Sequence, residues 1–275
     1  MKAFRGQPSV FASSKAAGPS AELEVRGVDL HFGGVKALID VSLSVHTGEL
    51  VSIIGPNGAG KTSLLNSITG YYHPQEGSIF FNDAELTGLK PHAIVKQGIG
   101  RTFQNIELFP GMTVLANMLL ARHIHCRYKM GPAAVFSRSV QKEEVEHRRV
   151  LEELIDFLEM QPIRKKAVGT LPYGLRKRVE LARALALEPK LLILDEPFAG
   201  MTLEEKEDMV RFLIELNGAW GQTMILVEHD MSIVMSISQR IMVLDFGVMI
   251  AEGLPEAIQN DPCVIKAYLG ETAKV

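Results

Sequence analysis

The 275-residue chain has few cysteines, no excess of positive charge and no long apolar run. Cys126 and Cys263 lie far apart without C-x-x-C spacing, which predicts reduced thiols of a cytosolic protein and no disulfide. A net charge of −3 gives no reason to expect a nucleic-acid partner, because such proteins concentrate positive charge. No stretch approaches the roughly 18 consecutive apolar residues of a membrane-spanning helix.

The two ends of the chain are predicted to be tails that flank one folded domain. Residues 1–21 are basic, rich in Ser and Ala, and lack the apolar core of a secretory signal. We expect a disordered N-terminal tail there, with a targeting peptide as the alternative, and a short C-terminal tail at 272–275. Residues 22–271 are predicted to form a single domain.

Hydrophobic periodicity divides this domain into β-rich and helical parts. "ELEVRGVDLHF" and "ALIDVSLSV" alternate apolar and polar residues as antiparallel strands do. "LVSII" is a buried strand followed by a Gly-rich loop and a helical pattern, which opens a βαβ unit. Between about 106 and 168 helical periodicity takes over, and we expect an inserted helical subdomain. Its clearest apolar stripe consists of Leu151, Leu154, Ile155 and Leu158.

The second half of the domain predicts alternating helices and strands. We expect a helix over about 175–187, a strand over 191–194, a helix from about 203 and a strand over 224–228. "IMVLDFGVMIAEG" predicts a closing hairpin that turns at Asp245-Phe246-Gly247. Strands alternating with helices predict an α/β fold.

"GPNGAGKTS" fits the phosphate-loop pattern G-x-x-x-x-G-K-[ST] between a predicted strand and helix. Glycines let consecutive backbone N–H groups face a phosphate, and the helix N-terminus adds partial positive charge. Lys61 would reach the β- and γ-phosphates, and the Thr62 hydroxyl would bind Mg²⁺. The alternative is a merely Gly-rich turn. The loop consists of Gly55, Pro56, Asn57, Gly58, Ala59, Gly60, Lys61, Thr62 and Ser63.

"LLILDEP" ends a predicted buried strand with two carboxylates. Parallel sheets bind ligands at the carboxyl ends of their strands, so Asp195 is placed to hold Mg²⁺. Glu196 is then placed as the general base for a water that attacks the γ-phosphate. The alternative is an acid pair that merely favours a helix N-terminus.

The next strand ends in "LVEHD", which makes His229 a candidate to contact the γ-phosphate and orient the water. Gln104 in "RTFQN" is a candidate reporter of γ-phosphate and Mg²⁺ occupancy. By themselves, a lone His and a loop Gln are more often structural residues.

Taken together, these motifs resemble those of ATP-binding-cassette (ABC) ATPases in their order and spacing, over residues 22–271. The resemblance implies a P-loop NTPase cassette: a RecA-like core sheet, an antiparallel β subdomain and an inserted α-helical subdomain. It implies a Walker A loop at 55–63, a Q-loop glutamine at Gln104 and a switch histidine at His229. It also implies a Walker B strand with metal-binding Asp195 and catalytic Glu196. Phe32 matches the aromatic residue that stacks on adenine, although an ordinary strand aromatic would look the same.

Four stretches narrow the resemblance to the ATPase subunit of branched-chain (hydrophobic) amino-acid importers. They are "GIGRTFQNIELFPGMTVLANMLLA", the helical insert, "VEHDMSIVM" and "DPCVIKAYLGE". That family implies a dimer of cassettes on the cytoplasmic face of the plasma membrane, each ATP lying between one Walker A loop and the opposing signature motif. It also implies two membrane-spanning permease subunits, docked near Gln104 and the helical insert, and a periplasmic binding protein that acts indirectly.

The signature motif departs from the family pattern L-S-G-G-Q. Its five positions here hold Leu171, Pro172, Tyr173, Gly174 and Leu175. Proline removes both the serine hydroxyl and a backbone N–H. A hydrogen bond to a charged group contributes about 1.5–3 kcal/mol, so its uncompensated loss would slow hydrolysis roughly tenfold to a little over a hundredfold. We expect the site to be weakened but not abolished, because the Gly174 N–H and the helix N-terminus still face the phosphate.

Other features leave alternatives open. Arg176, Lys177 and Arg178 either add positive charge near the phosphate or form a solvated helix face. Thr202 replaces an Asp or Asn that often links the two ATP sites, which puts communication between them in doubt. "RHIHC" suggests a metal site, but histidines two residues apart on a helix do not share a face. We therefore expect no metal there.

The motifs predict a working ATPase that powers an ABC importer of branched-chain amino acids or related small carboxylates. One rival keeps the ATPase and changes the cargo to urea, aromatic acids or an exported lipid. Another is an ABC switch without a transport role, and a third is a non-catalytic nucleotide sensor, suggested only by Pro172.

Overall fold

The computed structural model describes residues 23–126 and 138–272. The predicted tail at 1–21 lies outside the described residues, as do residues 127–137 of the predicted helical insert. At the C-terminus the last helix ends at Thr272, so only 273–275 of the predicted tail lie beyond the described part.

The described residues form ten strands, nine α-helices and two short 3₁₀ helices. The strands are β1 (Leu23–Phe32), β2 (Val35–Val45), β3 (Leu50–Ile54), β4 (Glu76–Phe81), β5 (Ala84–Glu85), β6 (Ile99–Arg101), β7 (Leu191–Asp195), β8 (Thr223–Val227), β9 (Arg240–Asp245) and β10 (Val248–Gly253). The α-helices are α1 (Lys61–Ile68), α2 (Pro91–Gln97), α3 (Val114–Arg122), α4 (Arg138–Phe157), α5 (Tyr173–Leu185), α6 (Leu203–Gly218), α7 (Met231–Ile237), α8 (Pro255–Gln259) and α9 (Pro262–Thr272). Short 3₁₀ helices cover His123–His125 and Val168–Thr170.

The first sheet is antiparallel, in the order β2-β1-β4-β5. Val25 on β1 lies between Leu43 of β2 and Ile79 of β4, and all three side chains are buried. The alternating pattern predicted these strands because one face of the sheet packs on the core and the other is solvated. This sheet is the predicted antiparallel subdomain.

The second sheet is the central one, in the order β10-β9-β3-β8-β7-β6. Its strands are parallel from β9 to β6, and β10 closes the edge antiparallel to β9 as the predicted hairpin. Every residue of β3, β7 and β8 is buried, which accounts for their unbroken apolar runs. Because these three strands are parallel neighbours, the loops that follow them meet at one edge of the sheet.

The helical insert contains α3 and α4, which pack on α5. Leu151, Leu154, Ile155 and Leu158 are all buried in one apolar cluster with α5 and α6, so the predicted stripe is confirmed. Several elements had not been predicted, among them helix α2 and the three-residue strand β6, which places the following Thr102 beside β7. Among the described residues, no helix combines the length and apolarity needed to cross a membrane.

Candidate nucleotide-binding site

The phosphate loop connects β3 to α1, as its sequence predicts. Gly55, Gly58 and Gly60 have φ angles of 147°, 77° and 104°, a region that L-residues with side chains rarely adopt. A Cβ on Gly55 would lie 2.0 Å from the Leu244 carbonyl oxygen, so this glycine also permits a close backbone approach. The loop is thus shaped by backbone constraints that only glycine meets.

Helix α1 begins at Lys61, directly after the loop, and its N-cap Gly60 provides no side-chain hydrogen bond. The first N–H groups of a helix have no partner within the helix, so they are suited to bind an anion. The Lys61 Nζ donates hydrogen bonds to the carbonyls of Gly55 (2.5 Å) and Pro56 (2.9 Å). The lysine ammonium therefore lies over the loop itself.

The two predicted carboxylates lie at the end of β7, at the edge of the central sheet where the phosphate loop follows β3. Asp195 is buried, and its Oδ2 lies 2.8 Å from Nη2 of Arg101. Glu196 adopts a φ of 48°, a strained value for a residue with a side chain. Its Oε2 accepts a hydrogen bond of 2.9 Å from the Gln104 amide. The structure thus brings Gln104 and Glu196 together although they lie 92 positions apart.

The loop after β8 is organised by Glu228, a buried carboxylate whose importance the sequence did not reveal. Its Oε1 accepts the Phe198 N–H (3.1 Å), and its Oε2 accepts those of His229 (2.9 Å) and Asp230 (3.3 Å). The His229 ring remains largely exposed, with Nδ1 3.6 Å from the Glu228 Oε2. Glu228 therefore fixes the backbones of two site loops and leaves the His229 ring accessible.

Phe32 ends β1 with 48% of its surface exposed, and its ring lies edge-on to Tyr72, 4.9 Å between centroids. The hairpin that follows Phe32 packs on the phosphate loop, since a Cβ on Gly60 would lie 2.6 Å from the Ala37 carbonyl oxygen. Phe32 therefore lies on the element that packs on the loop, and its aromatic partner Tyr72 lies in the segment between α1 and β4. Tyr72 had not been singled out from the sequence.

The signature region forms the start of α5. Leu171 is buried, Pro172 is an N-cap without a side-chain hydrogen bond, and Tyr173 is 43% exposed. The Tyr173 ring packs on Gly200, and a Cβ on Gly174 would lie 2.1 Å from the Glu205 carboxylate. The motif therefore rests on the segment that follows Walker B.

That segment is held by a capping box at the start of α6. Thr202 accepts the Glu205 N–H at 3.3 Å, and the Glu205 carboxylate accepts the Thr202 N–H at 3.0 Å. Thr202, at the position where an Asp or Asn often occurs, thus has a local role as the helix cap.

Two of the three basic residues of α5 are buried, so the alternative of a solvated face is wrong for these two. Lys177 and Arg178 are buried, and Arg178 pairs with Asp208 at 2.8 Å. Arg176 donates to the carbonyls of Leu171 and Gly169, where it supports the turn before the helix. The charges are used inside the cassette because α5 is covered by neighbouring segments on most sides.

Lys177 and Glu180 hold the segment that carries Gln104. The Lys177 Nζ donates to the Gln104 carbonyl at 2.9 Å and lies 3.6 Å from Glu180, whose Oε1 accepts the Phe103 N–H. Burial raises the pKa of Glu180, and the Lys177 ammonium opposes that shift. A buried ionic pair thus connects the signature helix to the Q-loop, and neither residue had been predicted for this role.

The "RHIHC" stretch does not gather its own side chains around a metal. The His125 Nε2 lies 2.9 Å from the Leu187 carbonyl oxygen, and Cys126 instead approaches Glu143 and His147. Both Nε and Nη2 of Arg122 lie against His147 Nδ1, at 3.3 and 3.1 Å.

His147 of α4 joins this stretch to the rest of the helical insert. Burial and the Arg122 cation lower the pKa of His147. Its Nδ1 faces the Arg122 guanidinium, and its Nε2 lies 3.8 Å from the Cys126 Sγ and 3.7 Å from the Glu143 carboxylate. These side chains pair with one another where α3 meets α4.

The comparisons with known proteins agree with this geometry. Residues 38–199 match the family model described as "ABC transporter", and residues 248–274 match "Branched-chain amino acid ATP-binding cassette transporter". The chain belongs to the ABC transporter family as one of its ATP-binding cassettes, and ATP hydrolysis is the activity of that class.

Its similar relatives point to one branch of the family. The chain is 40% identical to "High-affinity branched-chain amino acid transport ATP-binding protein BraF" of Pseudomonas aeruginosa over 90% of its length and 98% of the relative. It is equally similar to the LivG protein of Escherichia coli, which carries the same description, with the same coverage.

Solved structures of cassettes confirm the fold class. The ADP conformation of an ABC transporter cassette matches with a TM-score of 0.78 and 33% identity, over 91% of this chain and 99% of that one. A dimeric bacterial ABC transporter cassette matches with a TM-score of 0.71 and 28% identity, over 85% and 98%. The predicted P-loop NTPase cassette, with its core sheet, antiparallel subdomain and helical insert, is therefore confirmed.

Proposed function

We propose that this chain hydrolyses Mg-ATP as the cytoplasmic subunit of an importer for branched-chain amino acids or related small carboxylates. The observation that carries the catalytic part is the edge where Asp195, Glu196 and Gln104 meet beside the phosphate loop. The cargo rests on similarity to the two bacterial proteins and on the match of residues 248–274.

The oxygen donors of this edge suit magnesium. Mg²⁺ prefers hard oxygen ligands, and the Thr62 hydroxyl, the Asp195 carboxylate and the Gln104 amide are of that kind. These three residues would hold the ion. When bound, Mg²⁺ would neutralise charge on the β- and γ-phosphates.

The chain's own residues then divide the reaction among them. Lys61 and the N–H groups of residues 55–63 bind the phosphates, and the Phe32 ring stacks on adenine. Glu196 takes the proton from the attacking water, and its contact with Gln104 orients the carboxylate. His229, accessible at the end of β8, contacts the γ-phosphate and orients that water.

The proposed function also requires an assembly of several chains. We infer a head-to-tail dimer in which residues 171–174 complete the partner's ATP site, as dimeric cassettes of this family suggest. Two permease subunits would dock near Gln104 and the helical insert and so hold the chain at the inner face of the plasma membrane. A periplasmic binding protein would act indirectly, and we expect no nucleic-acid partner.

Hydrolysis by the complete transporter tests the proposal. We expect Glu196→Gln to reduce phosphate release about 10²–10⁴-fold, because the general base is lost, while ATP binding persists. Glu204→Gln, an exposed carboxylate in the first turn of α6, is the control and should leave the rate unchanged. Equal rates for wild type and Glu196→Gln would refute the catalytic assignment.

A second measurement tests the cargo separately. Proteoliposomes that contain the complete transporter should take up leucine, isoleucine or valine in an ATP-dependent manner when the binding protein is present. ATP hydrolysis that only urea, an aromatic acid or a lipid stimulates would keep the ATPase and refute the cargo.

A further inference from the structure

Arg101 forms a buried ion pair with the carboxylate that is proposed to hold magnesium. It is the last residue of β6, and its Nη2 lies 2.8 Å from the Asp195 Oδ2, with the two side chains only 6% and 5% exposed. A buried carboxylate left without its partner is strongly disfavoured in its charged form. Arg101 therefore fixes one oxygen of Asp195 and leaves Oδ1 as the oxygen for a metal.

The same guanidinium also binds the helix that starts at the phosphate loop. Its Nη1 donates to the side-chain oxygens of Asn66 (2.8 Å) and Thr69 (3.0 Å), near the end of α1. One planar group thus ties the Walker A helix to the Walker B carboxylate. A lysine ammonium lacks this fork of donors and cannot make all three contacts in the same geometry.

The Nε of Arg101 is buried without a hydrogen-bond acceptor. In the part of the chain that the structure describes, its Nε is the one buried side-chain polar atom without a hydrogen-bond partner. Buried donors are normally satisfied, so this exception calls for a physical reason. The Phe103 ring supplies one, because its centroid lies 5.1 Å from the guanidinium carbon and an aromatic face attracts a cation.

The Phe103 ring lines a pocket that is open to the protein surface. Phe103 stacks edge-on with Tyr71, 6.1 Å between centroids, and both line a pocket of about 350 Å³ together with Arg101 and the helical insert's Leu120. The next residue after Phe103 is Gln104, which contacts Glu196. A displacement of Phe103 would therefore reach both carboxylates of the Walker B strand.

We propose that Arg101 is a positioning residue that holds Asp195 for the metal and connects it, through Phe103, to the surface pocket. This rests on the proposed Mg-ATP function of the site. The alternative is a buried ion pair that only stabilises the fold. The two differ in what they predict for metal affinity once the protein is folded.

Metal binding to the isolated cassette distinguishes them. Mn²⁺ is titrated by electron paramagnetic resonance in the presence of a non-hydrolysable ATP analogue. We expect Arg101→Gln to weaken Mn²⁺ binding about 10–100-fold, as the loss of a partner behind a metal ligand does. Binding of the analogue without metal should change little.

Arg122→Gln is the matched control. Arg122 is also buried and also pairs with a carboxylate at 2.8 Å, that of Glu188, but it lies in the helical insert. It should lower stability without changing Mn²⁺ affinity. Wild-type Mn²⁺ affinity in folded Arg101→Gln, or an equal loss in Arg122→Gln, would overturn the proposal.

Two further variants complete the test. Arg101→Lys keeps the charge and should give an intermediate loss, so it decides the matter if Arg101→Gln does not fold; wild-type affinity would again overturn the proposal. Phe103→Ala should weaken Mn²⁺ binding several-fold, whereas Leu120→Ala, on the α3 wall of the pocket, should not. Failure of the wild-type cassette to bind the analogue would instead refute the proposed function.

Discussion

The two regions that meet nucleotide in the proposed dimer are built differently. At the Walker A and B region, Arg101 and Asp195 are buried and paired, and Gly55 and Gly60 leave no room for a Cβ. At the signature motif, Tyr173 is exposed, Pro172 provides no cap, and the Glu205 carboxylate lies beside Gly174. The first region is organised by the fold of a single chain, whereas the second offers few donors of its own.

This difference bears on how a cassette divides its work. A site formed by one chain can be rigid before it binds its ligand, and such preorganisation reduces the cost of binding. A surface that becomes a site only on association needs its donors to align with a second chain. We therefore expect changes at the Walker region to affect folding and nucleotide affinity together, and changes at the signature motif to affect hydrolysis in the assembled complex alone.

The largest expected effect comes from filling the Walker loop. Gly55→Ala would force a Cβ to within 2.0 Å of the Leu244 carbonyl oxygen at a φ of 147°. We expect unfolding to become easier by roughly 3–5 kcal/mol, a size that severe backbone conflicts reach, and ADP binding to be lost. Denaturant titration and calorimetry with ADP measure the two effects.

A neighbouring glycine provides the control for this prediction. Gly58 has a φ of 77°, but a Cβ there meets no atom within 4 Å. Gly58→Ala should therefore cost only the backbone strain of about 1–2 kcal/mol. Equal free energies of unfolding for the two variants would show that close packing is not what organises the Walker loop.

A smaller effect is expected at the signature motif. Pro172→Ser restores a hydroxyl and a backbone N–H at the N-cap of α5. We expect hydrolysis by the assembled transporter to rise by about tenfold, the lower end of the range for one hydrogen bond to a charged group, because the Gly174 N–H and the helix N-terminus remain without the serine. ADP binding to the isolated cassette should not change.

Pro262→Ser is the control, because Pro262 lies at the exposed start of α9 and belongs to neither motif. It should leave the hydrolysis rate unchanged. No gain from Pro172→Ser would mean that the signature region is already compensated, and a change in ADP affinity of the isolated cassette would break the division between the two regions.

The same contrast explains how much could be predicted from the sequence. Gly55, Lys61 and Asp195 belong to contiguous motifs whose spacing dictates local geometry, so their placement at one sheet edge followed from the strand pattern. The antiparallel strands followed from alternation, and the helical insert from the stripe around Leu154. Sequence patterns were sufficient where the structure depends on residues that are close together in the chain.

Contacts between distant segments were not predictable in this way. Arg101 and Asp195 lie 94 positions apart, and β6 is too short to show periodicity. For Lys177 a solvated helix face was one of two alternatives, and Glu180 had not been singled out, because charged side chains are rarely buried unless they are paired. Only the folded chain shows the partners that make their burial possible. The sole hint was position, since Arg101 precedes Gln104 by three residues.

The smallest expected effect concerns an ion pair between the segment after Walker B and the His229 loop. Lys206 of α6, which follows the capping box, lies 2.7 Å from Asp230, next to His229. The hydrogen bonds from the Lys206 ammonium and the Ser232 hydroxyl hold the pKa of Asp230 at about 2, below its ordinary value of 3.8. Because the folded carboxyl has the lower pKa, the pair stabilises the folded state above pH 3.8, and this contribution is lost as the pH falls through about 2.

Replacing the lysine should remove most of this effect. In Lys206→Met we expect the Asp230 pKa, measured by NMR titration, to move back toward 3.8, and stability at pH 7 to fall by about 0.2–1 kcal/mol, since the pair is partly solvated. Lys190→Met, which changes an exposed lysine between α5 and β7, is the control. If Lys206→Met hydrolyses ATP at nearly the wild-type rate, the ion pair only stabilises the local structure. A fall in rate as large as that caused by Glu196→Gln would instead show that the segment after Walker B and the His229 loop act as one unit.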